Sequence, residues 1–473
     1  MRTRCACFIL AIAWFAAAAA QEPARPPGLP GSQSHRIEEP VFKGRAVVYE
    51  AGKEHKRTIL LVHGLSNNGA SDFADHASWL ARSYHVLAVD LPGFAQSDKA
   101  SAVYSPANYA AFLKHVVDRF ARKPFTLLGH SMGGVLALRY ASTYPEDIDR
   151  LVVVDAPGIL HRASYTGEFL TQLGLGFLQS RMGNPAAGGA LGSDAVGMIT
   201  ERLQQILGRA EQTNLDLQMI LAIPALREKL LQNDPTKIAA LSVALEDMSR
   251  EIPKIRTETL VIWGRQDTIA PLRTGKLLAH VLPHAQLAVI ERAAHVPMQQ
   301  TPDQFRDLLD PFLRQGLAPA PAPAKGRELT RRGSVSCDRQ NGLVYEGAYE
   351  QLTLQGCRNV HIGAARVREL RVLDSSVTIE DSDIGGDSGG LYASNASIEM
   401  TNGRIRGPVA ITLLASRLDL AGVQVEGRRA AVEGLDSGPA IVSSVVFSIS
   451  RVRSPHTDAG MHGYFAVASG KPL

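Results

Sequence analysis

The sequence predicts an α/β fold, a mostly parallel sheet with helices on both faces, followed by a separate all-β module. Three observations carry this. Between Val41 and Gly316 short β-branched runs alternate with longer helical patterns, as strands joined by helical crossovers do. The segment GLAPAPAPAKG (316–326) then alternates Pro and Ala, which favours extended polyproline II and a semi-rigid spacer. Beyond it short alternating strands recur every 20 or so residues, with Ile379, Met400 and Leu420 in equivalent places.

Taken in order, residues 1–20 (MRTRCACFILAIAWFAAAAA) place two arginines before an apolar run that ends in small residues. That is a secretory signal pattern with cleavage expected after Ala20, and an exported protein, periplasmic or secreted. The run is shorter than the ~20 apolar residues that span a bilayer, which disfavours a membrane anchor. Residues 21–40 are rich in Pro, Gly and polar side chains and read as a flexible tether to a first strand at Val41.

Six buried strands are expected in TILLVHG (58–64), HVLAVDLPG (85–93), PFTLLGHS (124–131), RLVVVDAPG (150–158), ETLVIWGRQD (258–267) and AQLAVIE (285–291). Between Gly158 and Ile252 only helical patterns occur: 197–210, 215–231 and 236–252. An all-helical insertion between core strands predicts a cap over about 159–252, with Leu203, Ile206, Leu207, Met219, Ile220 and Ile223 at helical spacing. The α/β domain thus spans 41–316, the linker 317–326 and the β module 327–473. A period near 20 residues predicts a β-solenoid of the right-handed β-helix kind, each coil burying its apolar face on its neighbours. The alternative is an antiparallel sandwich, since the step from Leu420 to Phe447 is irregular.

Composition narrows the function. The chain has 473 residues, 45% hydrophobic and 20% charged, which excludes collagen-like, coiled-coil and wholly disordered proteins. Lys and Arg number 50 against 46 Asp and Glu, and residues 318–473 hold 17 against 16. Neither part concentrates the positive charge a nucleic-acid binder needs, so no nucleic-acid partner is expected. Loss of the leader would leave Cys337 and Cys357 of the four cysteines, and an even pair in an exported protein predicts a disulfide. Asp381, Asp383 and Asp387 are read as acidic neighbours in a turn, solvated in preference to binding calcium.

The sharpest chemical signal is LLGHSMGG (127–134), a G-x-S-x-G between a predicted strand and a predicted helix. A nucleophile on so tight a turn needs small neighbours, so Ser131 is the candidate nucleophile. A serine hydroxyl needs a base, and the base needs a carboxylate to hold its tautomer. His295 and Asp267 each follow a later strand, in the order that Ser131 requires. Asp155, at the end of LVVVD, is the competing acid. The oxyanion donors expected are the backbone N–H groups of Met132 and of Leu65, after His63-Gly64. His63 is assigned no proton transfer.

At these residues the chain resembles the α/β-hydrolase superfamily, in its cap-bearing branch of serine esterases, lipases and carbon–carbon bond hydrolases. LLVHGL (60–65), VDLPGFAQSD (89–98), GHSMGG (129–134), VIWGRQDTIAP (261–271) and AAHVPMQQTPDQF (293–305) carry the resemblance over about residues 41–314. It implies catalysis by Ser131, Asp267 and His295 with neither metal nor organic cofactor, and its one departure is Ala95, where the family usually has glycine. The expected activity is hydrolysis of small carboxylic esters with hydrophobic acyl groups. Its rivals are cleavage of ring-fission diketones, and a non-catalytic scaffold whose C-terminal module grips a polysaccharide or cell-envelope surface.

Overall fold

The computed structural model describes residues 28–100, 102–164, 219–319, 331–435, 443–467 and 469. The expected signal at 1–20 and most of the expected cap, including Leu203, Ile206 and Leu207, lie outside them. The chain divides into two compact units between Ala318 and Pro319.

The first unit is built on eight strands: β1 (Gln33–Glu39), β2 (Gly44–Ala51), β3 (Thr58–Val62), β4 (His85–Asp90), β5 (Phe125–His130), β6 (Ile148–Val154), β7 (Glu258–Gly264) and β8 (Ala285–Ile290). They lie in the order β1-β2-β4-β3-β5-β6-β7-β8. The pairs β1–β2 and β2–β4 are antiparallel, and the sheet is parallel from β4 to β8. Strands β3, β4 and β5 are buried at every position, which is why they read as continuous apolar runs. The carboxyl ends of β5, β6, β7 and β8 are neighbours in space, the edge where open α/β sheets place their sites.

The tether expected over 21–40 is corrected by β1, and the first strand does not begin at Val41. Gln33–Glu39 pairs with β2, and Val41–Lys43 belong to the turn between them. Ile37 and Glu39 alternate inward, and the buried Glu39 carboxylate accepts the N–H groups of Val41, Phe42 and Gly44. A carboxylate that closes the turn costs little to bury because its lone pairs are occupied.

Helices α1 (Ala74–Leu80), α2 (Pro106–Phe120) and α3 (Met132–Thr143) precede the insertion. Its described part is helical but more broken than the periodicity implies. Ile223 is extended (φ −98°, ψ 114°) before Pro224, because proline disfavours helical geometry in the preceding residue. Helix α4 (Pro235–Ala244) starts on Asp234, which accepts from Thr236 N and Lys237 N, and stops well before 252. Asp247 Oδ1 accepts from Ser249 N instead, a local turn that competes with the helix. Ile220 is buried while Met219 and Ile223 are 39% and 38% exposed, so these three expected cap residues divide between packing and surface. Arg139 of α3 pairs with Glu246 just after α4. Helices α5 (Leu272–Val281) and α6 (Pro302–Gln315) follow β7 and β8.

The second unit holds β9 (Arg331–Asp338), β10 (Val344–Gln355), β11 (Val360–Leu373), β12 (Ser376–Gly385), β13 (Leu391–Ser394), β14 (Ser397–Leu414), β15 (Arg417–Ala421), β16 (Gln424–Gly434), β17 (Ser443–Ser454) and β18 (Thr457–Val467). All pairings among β9–β17 are parallel, and β18 runs antiparallel on β17. This excludes the antiparallel sandwich. Ile362, Ile379, Met400, Leu420 and Phe447 face one another in a single column, and the irregular last step is one longer return to it. The chain thus returns to one column in one direction.

Asp381 and Asp383 lie in β12, not in a turn. Asp381 accepts from Asn402, and Asp387 pairs with Arg428. Where the backbone turns, serines replace ladder hydrogen bonds: Cys357 N donates to Ser375 Oγ, Ala396 N to Ser416 Oγ and Val423 N to Ser450 Oγ. The sulfurs of Cys337 and Cys357 are joined in a disulfide.

Candidate active site

Ser131 stands between β5 and α3 with φ 53° and ψ −123°, a backbone conformation costly for a residue with a Cβ. Its surroundings hold it there. Ser131 N donates to Val154 O at 2.8 Å, and the flanking glycines admit no side chain. A Cβ on Gly129 would lie 2.1 Å from Gly133 O, and one on Gly133 would lie 2.1 Å from Val62 O. The G-x-S-x-G spacing is thus a packing requirement of the turn.

His295 follows β8 and meets Ser131. Its Nε2 lies 2.9 Å from Ser131 Oγ and its Nδ1 lies 2.8 Å from Asp267 Oδ2. The second Asp267 oxygen accepts from Ile269 N (2.8 Å) and Ala270 N (3.0 Å), so three donors fix this carboxylate. Trp263, fully buried in β7, pins the same loop by donating from Nε1 to Ala270 O at 2.7 Å. The Asp267 side chain is fully buried and that of His295 is 14% exposed. The orientation puts a neutral His295 in position to receive the hydroxyl proton at Nε2 while Nδ1–H stays on Asp267.

Asp155, the competing acid, hydrogen-bonds elsewhere. It is fully buried with φ 44°, and its Oδ1 accepts from Gly264 N at 2.9 Å. Burial, and after it the charge of Asp267 in hydrogen-bonding contact, hold its carboxyl well above the usual carboxylate range.

The HG turn is tied down by His63, whose Nδ1–H donates to Gly64 O while Nε2 accepts from Leu91 N. That use of both nitrogens leaves His63 no role in proton transfer. Met132 N, at the first position of α3, and Leu65 N make no hydrogen bond to a protein acceptor among the described residues. Ala95 adopts φ 43°, so the loop keeps the left-handed turn for which glycine is the usual residue.

His130 was not legible as a site residue. Its Nε2 donates to His295 O at 2.7 Å, positioning the histidine loop, and burial foremost lowers its pKa to about 3, with a smaller push from His295. Only its place beside Ser131 at a buried strand end pointed to it.

Comparison with known proteins places the chain in a family. The family model for the alpha/beta hydrolase fold matches residues 57–300, and the chain belongs to that family of hydrolases. Its relatives include an uncharacterized protein of Mycobacterium tuberculosis, 27% identical over 58% of this chain and 80% of the relative. Another is a 2-hydroxy-6-oxononadienedioate/2-hydroxy-6-oxononatrienedioate hydrolase of Pseudomonas putida, 28% identical over 55% of this chain and 89% of that one. Among solved structures, an esterase of Exiguobacterium antarcticum aligns over 60% of this chain and all of its own, at 19% identity and TM-score 0.43.

Proposed function

We propose that this protein is an exported serine hydrolase of small carboxylic esters with apolar acyl groups. The observation that carries the proposal is the unbroken line from Ser131 Oγ through His295 to Asp267, at 2.9 and 2.8 Å. As Ser131 Oγ attacks the carbonyl carbon, its proton passes to His295 Nε2, and Asp267 stabilises the imidazolium that forms. The N–H groups of Leu65 and Met132 receive the oxyanion. Collapse of the intermediate expels the alcohol, protonated by His295, and leaves an acyl group on Ser131. A water deprotonated by His295 then releases the acid.

Ser131→Ala tests this: hydrolysis of p-nitrophenyl butyrate and labelling by a fluorophosphonate should both vanish while the circular dichroism is unchanged. Turnover well above background in that variant would overturn the assignment. A second reading, carbon–carbon bond cleavage of a ring-fission diketone, is favoured by the name of the Pseudomonas putida relative. Steady-state kcat/KM on such a diketone against that on the ester ranks the two.

Export rests on the leader pattern at 1–20, and the Cys337–Cys357 bond suits an oxidising compartment. N-terminal sequencing of the protein from the periplasm or medium should begin at Gln21. For the β module we propose attachment to a polysaccharide or envelope surface, on the strength of its parallel stack, whose outer rows carry exposed Arg366, Arg368, Arg406 and Arg428.

A further inference from the structure

Two carboxyl groups meet at the buried end of the triad, and the mechanism above uses one. Asp267 is met by three donors: His295 Nδ1–H, Ile269 N–H and Ala270 N–H. Asp155 is met by one, Gly264 N–H, and its Oδ2 is buried and is met by no donor. The neighbour in hydrogen-bonding contact with Asp155 is the Asp267 carboxyl, itself an acceptor. Two buried carboxylates in contact cannot both carry charge, and the proton belongs to the one whose charged form has fewer donors.

We propose that Asp155 is a positioning residue of the triad, a neutral carboxylic acid that donates its proton to the Asp267 carboxylate as that group's fourth hydrogen bond. The inference rests on the triad reading. Asp155 follows β6, Gly264 ends β7 and Asp267 lies in the loop after it; His295, after β8, His130, at the end of β5, and His63, after β3, are the neighbouring titratable groups. The donated hydrogen bond holds Asp267 in the orientation His295 needs and draws off part of its negative charge. No atom of Asp155 touches substrate in this scheme. The positive φ of Asp155 is consistent with the role, since a strained non-glycine residue persists where its surroundings demand that side chain.

The full-length protein tests this in three measurements. Asp155→Leu removes the donor and should lower kcat on p-nitrophenyl butyrate by about 10- to 100-fold, the worth of a hydrogen bond to a charged group. Its acid limb of kcat/KM should move to higher pH, because a carboxylate relieved of one donor stabilises protonated His295 more strongly. Asp155→Asn restores a neutral donor, and should recover kcat to within about fivefold and return the acid limb to its original position.

The third measurement does not depend on activity. An infrared difference spectrum at neutral pH, wild type minus Asp155→Asn, should contain the carbonyl stretch of a protonated carboxylic acid. Absence of that band overturns the proposal, as does an acid limb of Asp155→Asn displaced to lower pH, which would mean that a negative charge had been removed beside His295. Should Asp155→Leu fail to fold, the Asn variant and the spectrum still decide. Failure of the triad reading is separate: Ser131→Ala would then keep its turnover whatever the spectrum contains.

Discussion

Reduction of the Cys337–Cys357 disulfide is a perturbation whose size follows from the fold. The two cysteines are 20 residues apart in sequence, and each is buried in the core of the β module. Cross-linking a loop of that length removes unfolded-chain entropy worth about 3 kcal/mol at 25 °C. For a unit of about 140 residues each kcal/mol shifts the midpoint by roughly 3–4 °C, so Cys337→Ser/Cys357→Ser should unfold roughly 10 °C lower. The readout can be assigned to one unit. Trp14 lies among the first 20 residues, Trp79 and Trp263 belong to the first unit, and the module has no tryptophan. The β-type circular dichroism transition should therefore move, while the tryptophan fluorescence transition and ester hydrolysis stay where they were. A dichroism transition unmoved by the double variant would refute the entropic argument. A fluorescence midpoint that fell with it would refute the independence of the two units.

Three further outcomes are expected. Asp267→Asn should cost on the order of 10⁴ in kcat, as loss of the tautomer-holding carboxylate does in serine hydrolases, and far more than Asp155→Asn; the reverse ranking in steady-state kinetics would move the acid to Asp155. Asp155→Asn should gain stability relative to wild type as pH rises from about 5 to 8: a buried acid with raised folded pKa stabilises fully below its unfolded value of about 3.9 and loses that contribution at higher pH, whereas the amide does not titrate. Thermal midpoints of both proteins across that range measure it, and a constant difference would contradict it. A protein comprising residues 21–316 should fold and hydrolyse p-nitrophenyl esters at near full-length rates while losing retention on cell-wall material; a folded but inactive truncation would place residues of the β module in the function of the first unit.

Much of the first unit is legible because its strands are buried on both faces. Thr58–Val62, His85–Asp90 and Phe125–His130 show as unbroken apolar runs, and burial on both sides is what removes polar alternation. The β1–β2 hairpin hides for the converse reason. QSHRIEE is mostly exposed and charged, and the carboxylate that closes its turn, Glu39, looks like any surface acid until its three N–H partners are known. In the β module the local strands were visible, and the spacing of Ile379, Met400 and Leu420 favoured parallel coils, but the strands themselves left the antiparallel alternative open. Alternation at period two is the same for parallel and antiparallel neighbours, and only the column Ile379–Met400–Leu420–Phe447 distinguishes them.

The sequence by itself singled out Ser131 as the candidate nucleophile, since the glycines around it answer to a turn so tight that a single Cβ would collide with backbone. It also gave the order in which the candidate acid and base follow. Tertiary structure decided which aspartate meets His295. Asp155 directly follows β6 and Asp267 lies in the loop after its parallel neighbour β7, so both stand at one edge of the sheet. What separates them is that His295 returns from β8 onto Asp267 Oδ2, while Gly264 N–H occupies Asp155. A hydrogen bond is a short-range contact between groups whose separation along the chain carries no information about their distance in space, so the division of labour between two like carboxyls is a property of the folded sheet.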